Sequence, residues 1–154
     1  MSDKNQNAPF MINKIFTKDI SFESPMSPIM FTSEWKAKSQ VDININHKKL
    51  DNNQCEVDLI VTLTTTNNDK ECYICEVTQT GLFNAEVPEE QFGHLVGSFC
   101  PNILFPYAKE AICNLVFKSG YPQVSINPIN FDALYTNQLK QMNEGTTDST
   151  TPQS

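Results

Sequence analysis

The chain has 154 residues, 39% of them hydrophobic, with 18 acidic against 11 basic side chains for a net charge of −7. That length suits one domain with a genuine core, and the periodic apolar residues from Phe10 to Met142 exclude a disordered chain. The lysines are scattered and form no basic stripe that could track a phosphate backbone, so no nucleic acid partner is expected.

Residues 1–8 (MSDKNQNA) are polar and aperiodic and read as a flexible N-terminal tail. They offer neither a basic region nor an apolar signal core. No later run approaches the roughly 18 apolar residues of a membrane span, so a cytoplasmic protein without direct membrane insertion is expected. Residues 10–22 place Phe10, Ile12, Phe16, Ile20 and Phe22 among polar positions, interrupted by Lys14 and Lys18, and predict a first strand. Residues 25–35 (PMSPIMFTSEW) are apolar but broken by Pro25 and Pro28, and read as a loop. Val41, Ile43 and Ile45 alternate with Asp42, Asn44 and Asn46 in a second strand, while the pairing of residues 44–54 is left unassigned. In residues 55–65, Val57, Leu59, Val61 and Leu63 share a face opposite Glu56, Asp58 and Thr62. Thr66, Asn67, Asn68 and Asp69 then favour a turn into a fourth strand over 72–85, an antiparallel hairpin.

After Pro88 the period changes to that of a helix, from Phe92 through Val116, with its stop at Gly120. Pro101 and Pro106 lie inside it and predict a kink or a break, or a second helix opening at Pro106. The apolar stripe drifts around this helix, so a single sheet covers only part of it and a second apolar partner, such as another subunit, is implied. Asn130 is a good N-cap for a last helix carrying Phe131, Leu134, Tyr135, Leu139 and Met142. Strands followed by helices give an α+β domain over residues 9–142, with helices on one face of an antiparallel sheet. Residues 143–154 read as a disordered polar C-terminal tail.

No motif for catalysis or a cofactor emerges. The five glycines build neither a phosphate loop nor a dinucleotide fingerprint. Cys72 and Cys75 have a metal-like gap, but three apart on a strand they point to opposite faces, which argues for packing over a metal. His94 and Cys100 lie six apart on one helix, off a common face, which argues against a nucleophile and its base. Five thiols, an odd number without a paired framework, read as reduced.

At residues 17–23 (TKDISFE), 72–80 (CYICEVTQT), 99–107 (FCPNILFPY) and 128–134 (PINFDAL) the sequence resembles the SecB protein-export chaperone family. The likeness covers about residues 10–142. It implies a four-stranded antiparallel sheet, a long kinked helix and a second C-terminal helix, assembled as a dimer of dimers. It also implies an ATP-independent cytosolic holdase without cofactor, which binds unfolded secretory precursors and delivers them to a SecA-type motor for export across the inner membrane. By family likeness Asp19, Glu23, Ile74 and Glu76 match the acidic motor-docking surface, and Cys75, Val77 and Gln79 match tetramer-interface positions. A holdase needs exposed apolar surface with little shape selectivity. Met26, Ile29, Met30, Phe31 and Trp35 are candidates, although these loop residues could instead seal one end of the core, and Tyr121, Val124 and Ile126 are candidates for a facing wall.

Overall fold

Two long strands with strict alternation set the centre of the molecule: β3 (Gln54–Asn67) and β4 (Lys70–Ala85). The computed structural model describes the backbone of residues 10–150 and the side chains of residues 10–143; the expected tail at 1–8 and the last four residues lie outside it. The β3–β4 hairpin turns through Asn68 and Asp69 at φ of 52° and 63°, the paired left-handed geometry of a tight two-residue turn, which Asn and Asp tolerate. β1 (Phe10–Glu23) and β2 (Ala37–Lys49) complete a sheet of order β1-β4-β3-β2, antiparallel throughout. The unassigned 44–54 segment is the second hairpin: Lys49 pairs with Cys55, and Asn52 and Asn53 turn the chain at φ of 61° and 60°. Its low hydrophobicity follows from β2 being an edge strand.

β1 departs from the expected alternation. Register shifts fall between Ile12 and Lys14 and between Thr17 and Asp19, so the residues bulged out of the ladder are Asn13, next to Lys14, and Lys18. Between the bulges the faces exchange: Ile15 pairs with Gly81 and packs on the core, while Phe16 pairs with Thr80 on the opposite face.

The helical run starts as α1 (Glu89–His94), passes through a π-helical turn (Leu95–Phe99) and continues as α2 (Cys100–Lys118). In the π turn the Cys100 N–H donates to the Leu95 carbonyl, one residue wider than an α-helical bond. Pro101, which has no N–H to donate, follows directly after this wide turn, so the chain changes winding ahead of the proline instead of breaking. Pro106 opens no second helix; α2 runs through it with the ring exposed. Gly120, at φ 87°, ends the run as expected. Asn130 caps α3 (Phe131–Thr150) by accepting the Ala133 N–H at 3.0 Å. α3 extends beyond the expected end before Gly145, so the segment read as a disordered tail from residue 143 is helical to Thr150.

Helix α2 lies on one face of β3 and β4. Leu104, Ala108, Ile112 and Val116, spaced four apart, are wholly buried against Val57, Leu59, Val61, Leu63, Cys75 and Val77. α3 is anchored by its first turns: Phe131 meets Phe105 edge-on at 5.7 Å, and Tyr135 lies over Gly93 and Gly97, where a Cβ would come within 2.7 and 2.6 Å of its side chain. No helix of the described residues is long and apolar enough to cross a membrane.

Because Leu104 is fully buried at the centre of this layer, Leu104→Ala is expected to cost about 3 kcal/mol, read as a lower urea midpoint with unchanged slope.

Candidate functional site

The sheet face away from the helices carries the first set of candidate residues. In register, Glu23 pairs with Ile74, Ser21 with Glu76 and Asp19 with Thr78, so Asp19, Glu23, Ile74 and Glu76 form one patch on that face. Their spacing in sequence is the cause, since residues two and four apart on a strand point the same way. The Thr62 hydroxyl donates to Glu76 Oε2 at 2.9 Å and orients it. Asp19 and Glu23 are exposed, and no lysine lies opposite any of the three carboxylates in register. Next to the patch, the bulge turns Lys18 toward Glu56 and Asp58, with Nζ donating at 2.6 Å and 3.5 Å. The Glu56 bond leads in raising the Lys18 pKa. Lys18 thus matches that pair of acids and leaves the Asp19–Glu23–Glu76 end negative.

The second set gathers at the corner where the β1–β2 crossover meets the α2–α3 connection. Tyr121 is its hub, with ring centroids 4.8 Å from Tyr73, 4.8 Å from Phe31 and 5.8 Å from Trp35. Its hydroxyl donates to the Cys72 carbonyl at 3.3 Å, which leaves the Ser24 hydroxyl to donate to it in turn. The structure divides the candidates that sequence reasoning grouped together. Met30, Tyr121 and Ile126 are buried and seal the corner; Met26 and Val124 are half-buried against the core. Ile29, Phe31 and Trp35 remain 66%, 47% and 37% exposed. A short 3-10 turn (Ile29–Thr32) produces this split by pointing Met30 inward between two outward neighbours.

A neighbouring groove of about 350 Å³ is lined by Val41, Ile43, Ile126, Ile129 and Leu134 among others. Except for Ile126 these residues were not candidates, because alternation alone assigns Val41 and Ile43 to the core. They stay half-buried because α2 sits over β3 and β4 and leaves the edge strand partly uncovered. A larger apolar crevice of about 500 Å³ lies at the other end, between Phe10, Val87, Leu95 and Phe99.

Cys75, Val77 and Gln79 do alternate with Ile74 and Glu76, but they lie beneath α2 within a single protomer, at 0%, 0% and 3% exposure. The imagined His94–Cys100 pair is separated. His94 Nε2 lies 2.8 Å from Asp132 Oδ1 on α3, and Ser98 donates to the same oxygen. The Ser98 hydroxyl first, and then His94, hold the Asp132 carboxyl below its ordinary range. Among the described residues no three His, Cys, Asp or Glu side chains converge as metal ligands would.

Burial pushes the Cys75 thiol up to about 11 and the Cys100 thiol well up, with the Cys55 thiol adding to the latter. Only about one part in a thousand of a thiol with pKa near 11 is the reactive thiolate at pH 8. Iodoacetamide at pH 8 is therefore expected to label half-buried Cys113 first and to reach Cys75 and Cys100 only after unfolding, as peptide mass mapping can check. Rapid labelling of Cys100 in the folded chain would restore a thiol enzyme to consideration.

Comparison with known proteins gives a consistent set of likenesses. Residues 3–142 match the family described as preprotein translocase subunit SecB. The protein-export protein SecB of Idiomarina loihiensis is 43% identical over 144 residues, covering 92% of this chain and 86% of that protein. The SecB of Marinobacter nauticus is likewise 43% identical, covering 92% and 87%. Among solved structures, a Mycobacterium tuberculosis SecB-like chaperone, in complex with a ChAD peptide from an antitoxin, superposes with a TM-score of 0.67. At 13% identity, over 82% of this chain and 94% of that one, it establishes a shared fold.

Proposed function

The chain belongs to the SecB family of protein-export proteins, and on that premise we propose that it is an ATP-independent holdase whose chaperone unit spans residues 9–142. It is a chaperone and not an enzyme. Its clients are unfolded secretory precursors, held in the cytoplasm and passed to a SecA-type motor for export across the inner membrane. The observation that carries this reading is the exposed apolar ledge of Ile29, Phe31 and Trp35, the last two set against buried Tyr121, together with an apolar groove lined by Val41, Ile43 and Ile126. Such a surface suits what unfolded chains share, exposed apolar side chains without a common shape.

Magnitudes favour a reversible grip. Burying on the order of 1,000 Å² of apolar surface offers roughly 25 kcal/mol at most. Ordering some fifteen client residues at about 1 kcal/mol each or more offsets much of that, so several grooves must act together. A homotetramer, a dimer of dimers, supplies them. In support, one protomer leaves apolar surface uncovered on the helix side of β1, at Ile12 and Ile20, and on the helical run, at Phe99, Tyr107 and Phe117. The crevice beside Phe10 and Phe99 continues this uncovered zone.

The motor is assigned to the opposite face. The patch of Asp19, Glu23, Ile74 and Glu76 is negative and separated by the sheet from the client corner, so docking and holding proceed together. Oriented carboxylates around one apolar residue suit a basic partner surface, steering its approach and fixing its register.

The reading is tested by light scattering as an unfolded precursor is diluted without ATP; an assembly of four times the protomer mass is expected to suppress aggregation. Unchanged aggregation by a folded tetramer would leave an oligomeric scaffold instead. Glu76→Lys is expected to weaken motor binding about tenfold at low salt while client affinity stays within about twofold; equal loss of both in a folded variant would end the division of surfaces. Trp35→Ala is expected to reduce affinity for an unfolded reporter about tenfold, since interface aromatics carry a large share of binding energy. An unchanged value in a calorimetric titration would remove Trp35 from the client surface.

A further inference from the structure

Asn67 is an anomaly of the sheet. It closes β3 immediately before the hairpin turn, where polar residues are normally solvated, yet it is only 1% exposed. Burial of an amide demands partners, and those it finds lie outside the sheet ladder. Oδ1 accepts the Lys36 N–H at 2.7 Å, Nδ2 donates to the Glu34 carbonyl at 2.9 Å, and Nδ2 also reaches Met30 Sδ at 3.4 Å. The first two groups belong to the peptide units on either side of Trp35. The third is the inward side chain between Ile29 and Phe31. One side chain therefore grips both parts of the crossover that present apolar surface.

We propose that Asn67 is the positioning residue of the client surface: its amide clamps the two peptide groups flanking Trp35 and the sulfur of Met30, and so presets the exposed rings before a client arrives. The inference rests on the holdase reading and adds the device that makes its surface ready. A surface already ordered spends less of its contact energy on ordering itself, which raises affinity without any new contact. The partners explain why the effect is confined. Glu34, Trp35 and Lys36 are exposed residues, so without the clamp their peptide groups can turn to water while the crossover loosens. The β3–β4 ladder and the α2 layer use none of these bonds. No contact between Asn67 and a client is required.

The sole tryptophan is Trp35, which makes it a built-in reporter of its own position. Asn67→Leu keeps a similar shape and removes the amide. Its expected signature has three parts: Trp35 emission shifted to the red with several-fold greater acrylamide quenching, a far-UV spectrum like that of the unchanged protein, and about tenfold weaker binding of a dye-labelled, reduced and carboxymethylated polypeptide that stays unfolded. Unmoved emission and quenching would overturn the clamp. A red shift with undiminished affinity would overturn its link to client binding. If Asn67→Leu does not fold, Asn67→Asp, of the same shape, keeps the acceptor but sets a carboxylate against the Glu34 carbonyl; it is expected to weaken binding at pH 7, and undiminished affinity would overturn the proposal. Failure of the unchanged tetramer to bind the polypeptide would sink the holdase reading and this inference together, whereas normal binding with an unaffected Asn67 variant sinks the inference alone.

Discussion

The seating of one long helix on one face of the sheet governs the rest of this molecule. β3 and β4 alternate with period two, so their inward side chains form a continuous apolar surface, from Val57 to Leu63 on one strand and at Cys75 and Val77 on the other. α2 meets it with residues four apart, and the contact is dry enough to leave Leu104, Ala108, Ile112 and Val116 without exposure. Once that face is occupied, Ile74, Glu76 and Thr78 on β4 face away from the helices, and pairing with β1 past its second bulge puts Asp19 and Glu23 on the same side. The patch of Asp19, Glu23, Ile74 and Glu76 is therefore a consequence of the core and needs no separate scaffold.

The same helix covers the two central strands better than the edges, and apolar surface stays open where its cover runs out. At one margin Val41 and Ile43 stay half-buried in the groove closed by Ile126, Ile129 and Leu134. At the other, Ile12 and Ile20 project uncovered from β1. Exposed apolar residues gathered into patches of this kind mark interaction surface, whereas single ones scattered over a surface are ordinary.

Polar bonding limits how far this exposure spreads. The corner that carries Phe31 and Trp35 is held by Tyr121 and Asn67, buried groups whose polar atoms find partners. Among the described residues no buried side-chain nitrogen or oxygen lacks a partner. His94 and Ser98 similarly spend their polar atoms on Asp132, fastening α3 to the π turn while Tyr135 fills the notch at Gly93 and Gly97. His94, weighed from sequence as a base for Cys100, is thereby tied into the α3 anchor instead.

Much of this was written in local pattern. Alternation identified β3 and β4 and put Asp19 with Glu23 and Ile74 with Glu76 on shared faces; Asn130 and Gly120 marked helix ends through caps that act within a few residues. Strand order, the hairpin through Asn52 and Asn53 and the extension of α3 past Met142 were not legible, nor was the exchange of Ile15 for Phe16 at the core. A bulge shifts every later side chain by one face, and its presence depends on the partner strand. Likewise, sequence could collect Met30, Tyr121 and Ile126 with Ile29, Phe31 and Trp35 as apolar loop residues, and could match Cys75, Val77 and Gln79 to an interface. Which of them face solvent was decided by contacts between segments distant in the chain, because burial belongs to the packed surface and not to the residue.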